Sequence, residues 1–92
     1  MTTTRYFSKD PDAVLDYAVD WTSWLDQDDA IATSIWVVPS GITKNSDSHT
    51  TATATIWLSG GTLATRYDLV NRITTAQGRT EDQTLSFTIE QH

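Results

Sequence analysis

Apolar and polar residues alternate at period two in stretch after stretch of this chain, and turn signals interrupt the pattern every eight to fourteen residues. Short, half-buried strands produce that pattern and helical bundles do not. Thr4-Arg5-Tyr6-Phe7-Ser8 reads as a first edge strand, stopped by Lys9-Asp10-Pro11-Asp12. Leu15, Tyr17, Val19 and Trp21 then alternate with Asp16, Ala18 and Asp20, which predicts a strand with apolar residues inward and acids outward. A helix is the competing reading of this stretch. Asp10 would cap it, Pro11 would open it, and Val14, Ala18, Trp21 and Leu25 would share a face. The strand is preferred, with a short helical turn near Ser23-Trp24-Leu25.

After the loop Asp26-Gln27-Asp28-Asp29, residues 30–38 predict a strand buried on both sides, with Ile31, Ile35 and Val37 on one face and Trp36 and Val38 on the other. Pro39-Ser40-Gly41 ends it by removing a backbone donor and supplying a flexible turn. Residues 42–47 add a short edge strand, and the polar run Asn45-Ser46-Asp47-Ser48-His49-Thr50 reads as a loop. Residues 50–58 place Ala52, Ala54, Ile56 and Leu58 on one face and Thr51, Thr53, Thr55 and Trp57 on the other. Ser59-Gly60-Gly61 is a turn signal. Residues 65–75 form a long strand with Tyr67, Leu69, Asn71 and Ile73 inward; residues 76–82 make the last hairpin loop, and Leu85, Phe87 and Ile89 line the final strand. About seven strands in 92 residues, without repeat or linker, predict one domain over residues 1–92. Its fold class is all-β, an immunoglobulin-like antiparallel β-sandwich. Leu58-Ser59-Gly60-Gly61 shortly before Tyr67 has the spacing of a tyrosine corner, in which a phenol hydrogen-bonds back to backbone at the E–F crossover.

Composition narrows the function. Twelve acids against six bases give a net charge of −6, which argues against nucleic acid as a partner and against docking to an anionic membrane. No apolar run approaches the roughly 20 residues that span a bilayer, and Met1-Thr2-Thr3-Thr4-Arg5 lacks the apolar core of a signal peptide. Without cysteine there is no disulfide, thiolate metal site or thiol nucleophile. Threonine fills 17 positions and lysine two, and seven of the twelve acids fall within residues 10–29, which predicts a local acidic surface on a β-rich domain.

Catalytic readings lack parts. Ser46 or Ser48 with His49 and Asp47 forms a triad only on paper, because neighbours in one loop seldom converge, and His92 ends the chain. Asp26, Asp28 and Asp29 have the oxygen density of a calcium loop. Counting from Asp26, however, Ile31 and Val37 stand where an EF-hand needs glycine and glutamate. An irregular calcium site is the alternative to the preferred solvated acidic rim. Asp20 and Asp68 are a candidate carboxylate pair for glycoside hydrolysis, in a chain too short to build a cleft around them. Gly60-Gly61 lacks the Lys-Ser/Thr of a phosphate loop. No catalytic residue, metal or cofactor is expected.

The tryptophans point to contact surfaces. Trp36 suits the core, whereas Trp57 falls opposite the Ala/Ile/Leu face and Trp24 sits in a turn beside acids. Tryptophan and arginine are enriched at buried interfaces, so Trp24 and Trp57 are candidate anchors, with coverage of the open ends of a thin sandwich as the alternative.

Four stretches, taken in order, carry a resemblance. They are Lys9-Asp10-Pro11-Asp12-Ala13-Val14-Leu15-Asp16-Tyr17 with Asp20-Trp21 and Trp24-Leu25; Ile31-Ala32-Thr33-Ser34-Ile35-Trp36-Val37-Val38-Pro39; Trp57-Leu58-Ser59-Gly60-Gly61; and Asn71-Arg72-Ile73-Thr74-Thr75-Ala76-Gln77-Gly78-Arg79-Thr80. Together they resemble small fiber-tail adaptor or Ig-like virion structural proteins of tailed bacteriophages, from about Phe7 to Ile89. The resemblance implies a non-enzymatic structural protein of the virion. It would be made in the host bacterial cytoplasm and would join tail or neck machinery to tail fibres, with other virion proteins and copies of itself as partners. On this reading Trp24 with Asp26, Asp28 and Asp29 forms one patch. Arg79 of the last hairpin, with Arg66 and Arg72, forms an opposite patch, and the charges set register between neighbours. Replacing Trp24 and Trp57 with Ala is then expected to abolish assembly and spare the fold. A capsid decoration protein is the alternative within the class, and a carbohydrate-binding module stacking sugars on Trp24 and Trp57 is the alternative outside it.

Overall fold

The computed structural model describes residues 4–91; Met1, Thr2, Thr3 and His92, on which the expectations about the termini partly fall, lie outside the described residues. Seven strands follow one another: β1 (Arg5–Lys9), β2 (Leu15–Asp20), β3 (Ile31–Val37), β4 (Ile42–His49), β5 (Thr53–Gly60), β6 (Arg66–Thr75) and β7 (Thr80–Ile89). They form two sheets, ordered β1-β7-β6-β3 and β2-β5-β4. This is the order expected of an immunoglobulin-like sandwich once the first strand is moved onto the last. The sandwich is antiparallel as expected at every pairing but one, since β1 pairs with β7 in parallel. A tight hairpin would have forced β1 onto β2. The connection over residues 10–14 instead carries the chain across the sandwich, so β1 meets β7 running in the same direction.

Residues 15–20 are strand, not helix. Val19 pairs with Ala54 and Tyr17 with Ile56 on β5, and Val19 and Trp21 are fully buried. The expected turn follows at once, as the Trp24 and Leu25 amides donate to the Trp21 carbonyl at 2.9 and 3.0 Å. The inward faces of β5, β6 and β7 are the predicted ones: Ala54, Ile56, Leu58, Leu69, Ile73, Leu85, Phe87 and Ile89 have no exposed surface. Phe7, Tyr17 and Phe87 pack ring against ring between the sheets, with centroids 4.6–5.3 Å apart.

One polar network in this core is matched, whereas Trp36 Nε1, the Tyr17 hydroxyl and Ser86 Oγ are buried without a hydrogen-bond partner. Trp21 Nε1 donates to Asn71 Oδ1 at 3.0 Å, and Asn71 Nδ2 donates to Ser34 Oγ and to the Ile35 carbonyl. That network ties β2, β6 and β3 across the sandwich. The corner also forms, with the Thr62 amide donating to the Tyr67 hydroxyl at 3.0 Å. Gly41 has φ +102°, and a Cβ there would lie 2.9 Å from the Tyr67 ring, so only glycine lets the β3–β4 turn pass over the phenol. In disulfide-bearing sandwiches the second cysteine follows the corner tyrosine by two residues. Here that place is held by Leu69, and packing replaces the crosslink.

Three expectations are overturned. Residues 30–38 are not buried on both sides: a bulge between Ile31 and Thr33 shifts the phase, so Ile31 and Trp36 share the core face while Ile35 and Val37 point outward, 57% and 51% exposed. β4 runs through His49 and absorbs the polar run read as a loop. The last hairpin loop is shorter than 76–82, since β7 begins at Thr80.

Candidate interaction surfaces

The loops at one end of the sandwich are fastened together. Ile31 N–H donates to the Thr51 carbonyl, Ala76 N–H to the Ala30 carbonyl, and Gln77 N–H to Asp29 Oδ1 at 3.2 Å. The β2–β3 loop and the β6–β7 hairpin are thus one surface. Arg79 crosses it, with its guanidinium carbon 4.4 Å above the Trp24 ring and its Nη1 3.0 Å from Asp26 Oδ2. Trp24 in turn meets Trp21 edge-on at 5.4 Å. The proposed acidic and basic patches are therefore not opposite surfaces: Trp24, Asp26, Asp29 and Arg79 form a single cluster. The hairpin and the acidic loop were separated on the sequence by nearly fifty residues, and only the sheet topology brings them to the same end.

Burial raises the Asp29 pKa, but donors from Thr75, Ala30 and Gln77, with Arg79 nearby, outweigh it and leave the carboxyl below its usual value. Its Oδ1 thus holds the two loops together, accepting from the Ala30 and Gln77 amides. Asp28 lies beside it, exposed, in the left-handed region at φ +71°, a conformation aspartate tolerates better than most residues. Among the described residues no three His, Asp or Glu side chains gather as metal ligands, and no pocket opens in the surface.

Arg66 and Arg72 lie elsewhere, on the outer face of the β1-β7-β6-β3 sheet. Arg72 Nε and Nη2 donate to the two Asp82 carboxylate oxygens at 2.8 and 3.1 Å. That fork raises the arginine pKa and depresses that of Asp82. Arg66 pairs with Asp68 at 3.5 Å. Asp68 thus faces outward from one sheet and Asp20 outward from the other, so they do not flank a common cleft. Asp20 instead accepts from the Thr22 hydroxyl and amide, which lower its pKa.

Trp57 stands on the outer face of the β2-β5-β4 sheet, 41% exposed, with Asp16 and Ser46 at its flanking register positions. Trp24 lies instead at the loop end, edge-on against the buried Trp21. Of the paper triad, Asp47 pairs with Lys44 at 3.0 Å, and His49 Nδ1 lies 3.0 Å from its neighbour's carbonyl, Thr50.

One residue escaped the sequence reading. Lys9, taken as part of a turn, is fully enclosed; its Nζ donates to the Gly60 and Asp10 carbonyls at 2.8 and 3.0 Å. Burial lowers its pKa against the opposing pull of Asp10 and Asp12. The available signal was parity, since Lys9 shares its strand face with Phe7.

The fold is a small two-sheet β-sandwich whose aromatic and charged groups stand on loops and outer sheet faces. Over residues 9–88 the chain matches the family described as podophage GP4 fiber-tail adaptor protein gp77. The chain belongs to that fiber-tail adaptor family, in agreement with the resemblance carried by its four sequence stretches. No curated protein matches it.

Proposed function

We propose that this chain is a non-enzymatic structural protein of a phage virion, located in the tail or neck region, where it joins tail machinery to fibres. The observation that carries the reading is the family match over residues 9–88. The structure supports it through the loop end, where Trp24, Asp26, Asp28, Asp29 and Arg79 present an aromatic edge and both signs of charge on a braced frame. Preorganised loops lose little entropy on docking, which suits a connector that must bind in one orientation. We assign this end to a neighbouring virion protein. Trp57 is the second contact residue, on a separate face, and Arg66 and Arg72 are peripheral because they stand on the outer face of the β1-β7-β6-β3 sheet rather than on the loop end.

Cryo-electron microscopy of the source virion tests this. Density for the sandwich at the tail or neck, repeated about a cyclic axis with the loop end against a neighbour, is the expected result. Copies spread over the capsid lattice would replace the adaptor reading with decoration, and absence from purified particles would overturn a structural role.

A further inference from the structure

A sandwich sheet has open edges, and each edge strand offers backbone N–H and C=O groups to any passing strand. Four strands here end a sheet: β1 and β3 in one, β2 and β4 in the other. Three carry the usual protection. β1 contains Arg5 and Lys9, β2 contains Asp16 and Asp20, and β4 contains Lys44 and Asp47 together with a bulge between Lys44 and Ser46. The exception is β3, whose bulge between Ile31 and Thr33 lies at its start and leaves Ser34 to Val37 in regular register. Its sequence Ile-Ala-Thr-Ser-Ile-Trp-Val has no charge and no proline, and its outward residues Ile35 and Val37 are more than half exposed. Val70, beside Val37 on β6, extends the apolar strip.

We propose that β3 is a docking edge for a second copy of this chain, the two β3 strands pairing antiparallel across a two-fold axis to make one continuous sheet. Charge selects the occupant. The chain carries a net −6, so two copies repel wherever their acids meet. On the outer face beside Ile35 and Val37 the charges are Arg72 with Asp82 and, further along, Arg66 with Asp68, each a neutral pair; Asp26, Asp28 and Asp29 precede the first residue of β3, at the end of the strand away from Val37. The outer face of the other sheet instead carries Asp16 and Asp20. Two like-charged molecules therefore approach with least repulsion along the β3 side. The residue pattern is also self-complementary. A two-fold centred on Trp36 sets Ile35 against the partner's Val37, and Val37 against the partner's Ile35, at the spacing of a cross-strand pair. Burying both apolar residues on one face fixes this register, because a one-residue slip would separate them. The inference concerns a surface away from the loop end and does not rest on the adaptor reading.

Sedimentation of the purified full chain tests it, over a roughly hundredfold concentration range bracketing micromolar affinity. The wild type is expected to pass from monomer to dimer. Val37→Lys places an unpaired charge on an already exposed position, so the fold and its near-ultraviolet circular dichroism persist while association weakens about tenfold or more. Ile35→Thr, which keeps a β-branched side chain, weakens it in the same direction. Tyr6→Lys, on the opposite edge of the same sheet, associates as the wild type does. A wild type that stays monomeric overturns the proposal, as does a Val37→Lys variant that dimerises normally, or loss of dimer in Tyr6→Lys instead. None of those outcomes bears on where the protein sits in the virion, so the two readings fail separately.

Discussion

Tyr67 shows how one side chain closes a fold that has no disulfide. Its ring lies under Gly41 and its hydroxyl accepts from Thr62, so a single residue of β6 fastens both the β3–β4 and the β5–β6 connections. The Thr62 hydrogen bonds hold the phenol below its ordinary pKa, the direction expected when the oxygen acts chiefly as acceptor. Tyr67→Phe keeps the ring and deletes that acceptor, leaving the Thr62 amide unmatched. The expected cost is about 1–2 kcal/mol, read as a lower urea midpoint with unchanged slope; an unchanged midpoint would mean that solvent replaces the bond without loss. The corner was legible in the sequence because glycines and tyrosine stood at a recognisable spacing. Lys9 was not, because a lysine beside Asp-Pro-Asp reads as surface unless its strand parity is followed one residue further.

At the level of strands, alternation located β2, β5, β6 and β7 because each has one buried and one solvated face. On β4 it placed the strand but missed its end, because the pattern from Thr43 to His49 is exposed throughout; an edge strand without a covered face writes no period into the sequence. It failed differently on β3, where Ala32 is the extra residue of a bulge and reverses the phase of all that follows. The contact between the acidic loop and the last hairpin was illegible for a third reason. It depends on which sheet β3 and β6 share, and local pattern carries no such information. That contact has measurable consequences. Trp24→Ala removes a half-buried indole from Trp21 and from Arg79, and should cost about 1–3 kcal/mol by area. Arg79→Ala alone should cost less. In a double-mutant cycle the pair should couple by about 0.5–1 kcal/mol, the worth of a cation–π contact near solvent. Additive losses would show that Arg79 braces the loops through Asp26 alone. Since Trp24 supports the fold, assembly assays on Trp24→Ala need the folded fraction measured beside them, whereas Trp57→Ala on an outer face does not carry that burden.

For the molecule as a whole, acid excess and stability are linked through carboxylates that the folded state holds below their ordinary pKa. Asp20 is lowered by Thr22, Glu81 by the Asp82 amide, Asp82 by Arg72, and Asp29 by donors that overcome its burial. Each binds its proton less readily when folded than when unfolded. As pH falls, the unfolded chain takes up protons first, so the stability these groups contribute is full above the unfolded carboxyl range near 4 and is lost as pH drops through the lowered folded values. Thermal melts should therefore hold a steady midpoint from about pH 8 to pH 5 and decline steeply below about pH 4. Arg72→Gln releases Asp82, which then binds its proton equally well in the folded and unfolded chain, so the acid decline becomes shallower, while neutral-pH stability falls only slightly, as expected for a solvent-facing pair. Asp29→Asn separates the loop brace from the charge. It keeps the Oδ1 acceptor for the Ala30 and Gln77 amides but removes one titrating carboxyl, so the acid decline becomes shallower. A decline of unchanged steepness in both variants would place the acid sensitivity in other carboxylates and remove these two from the account.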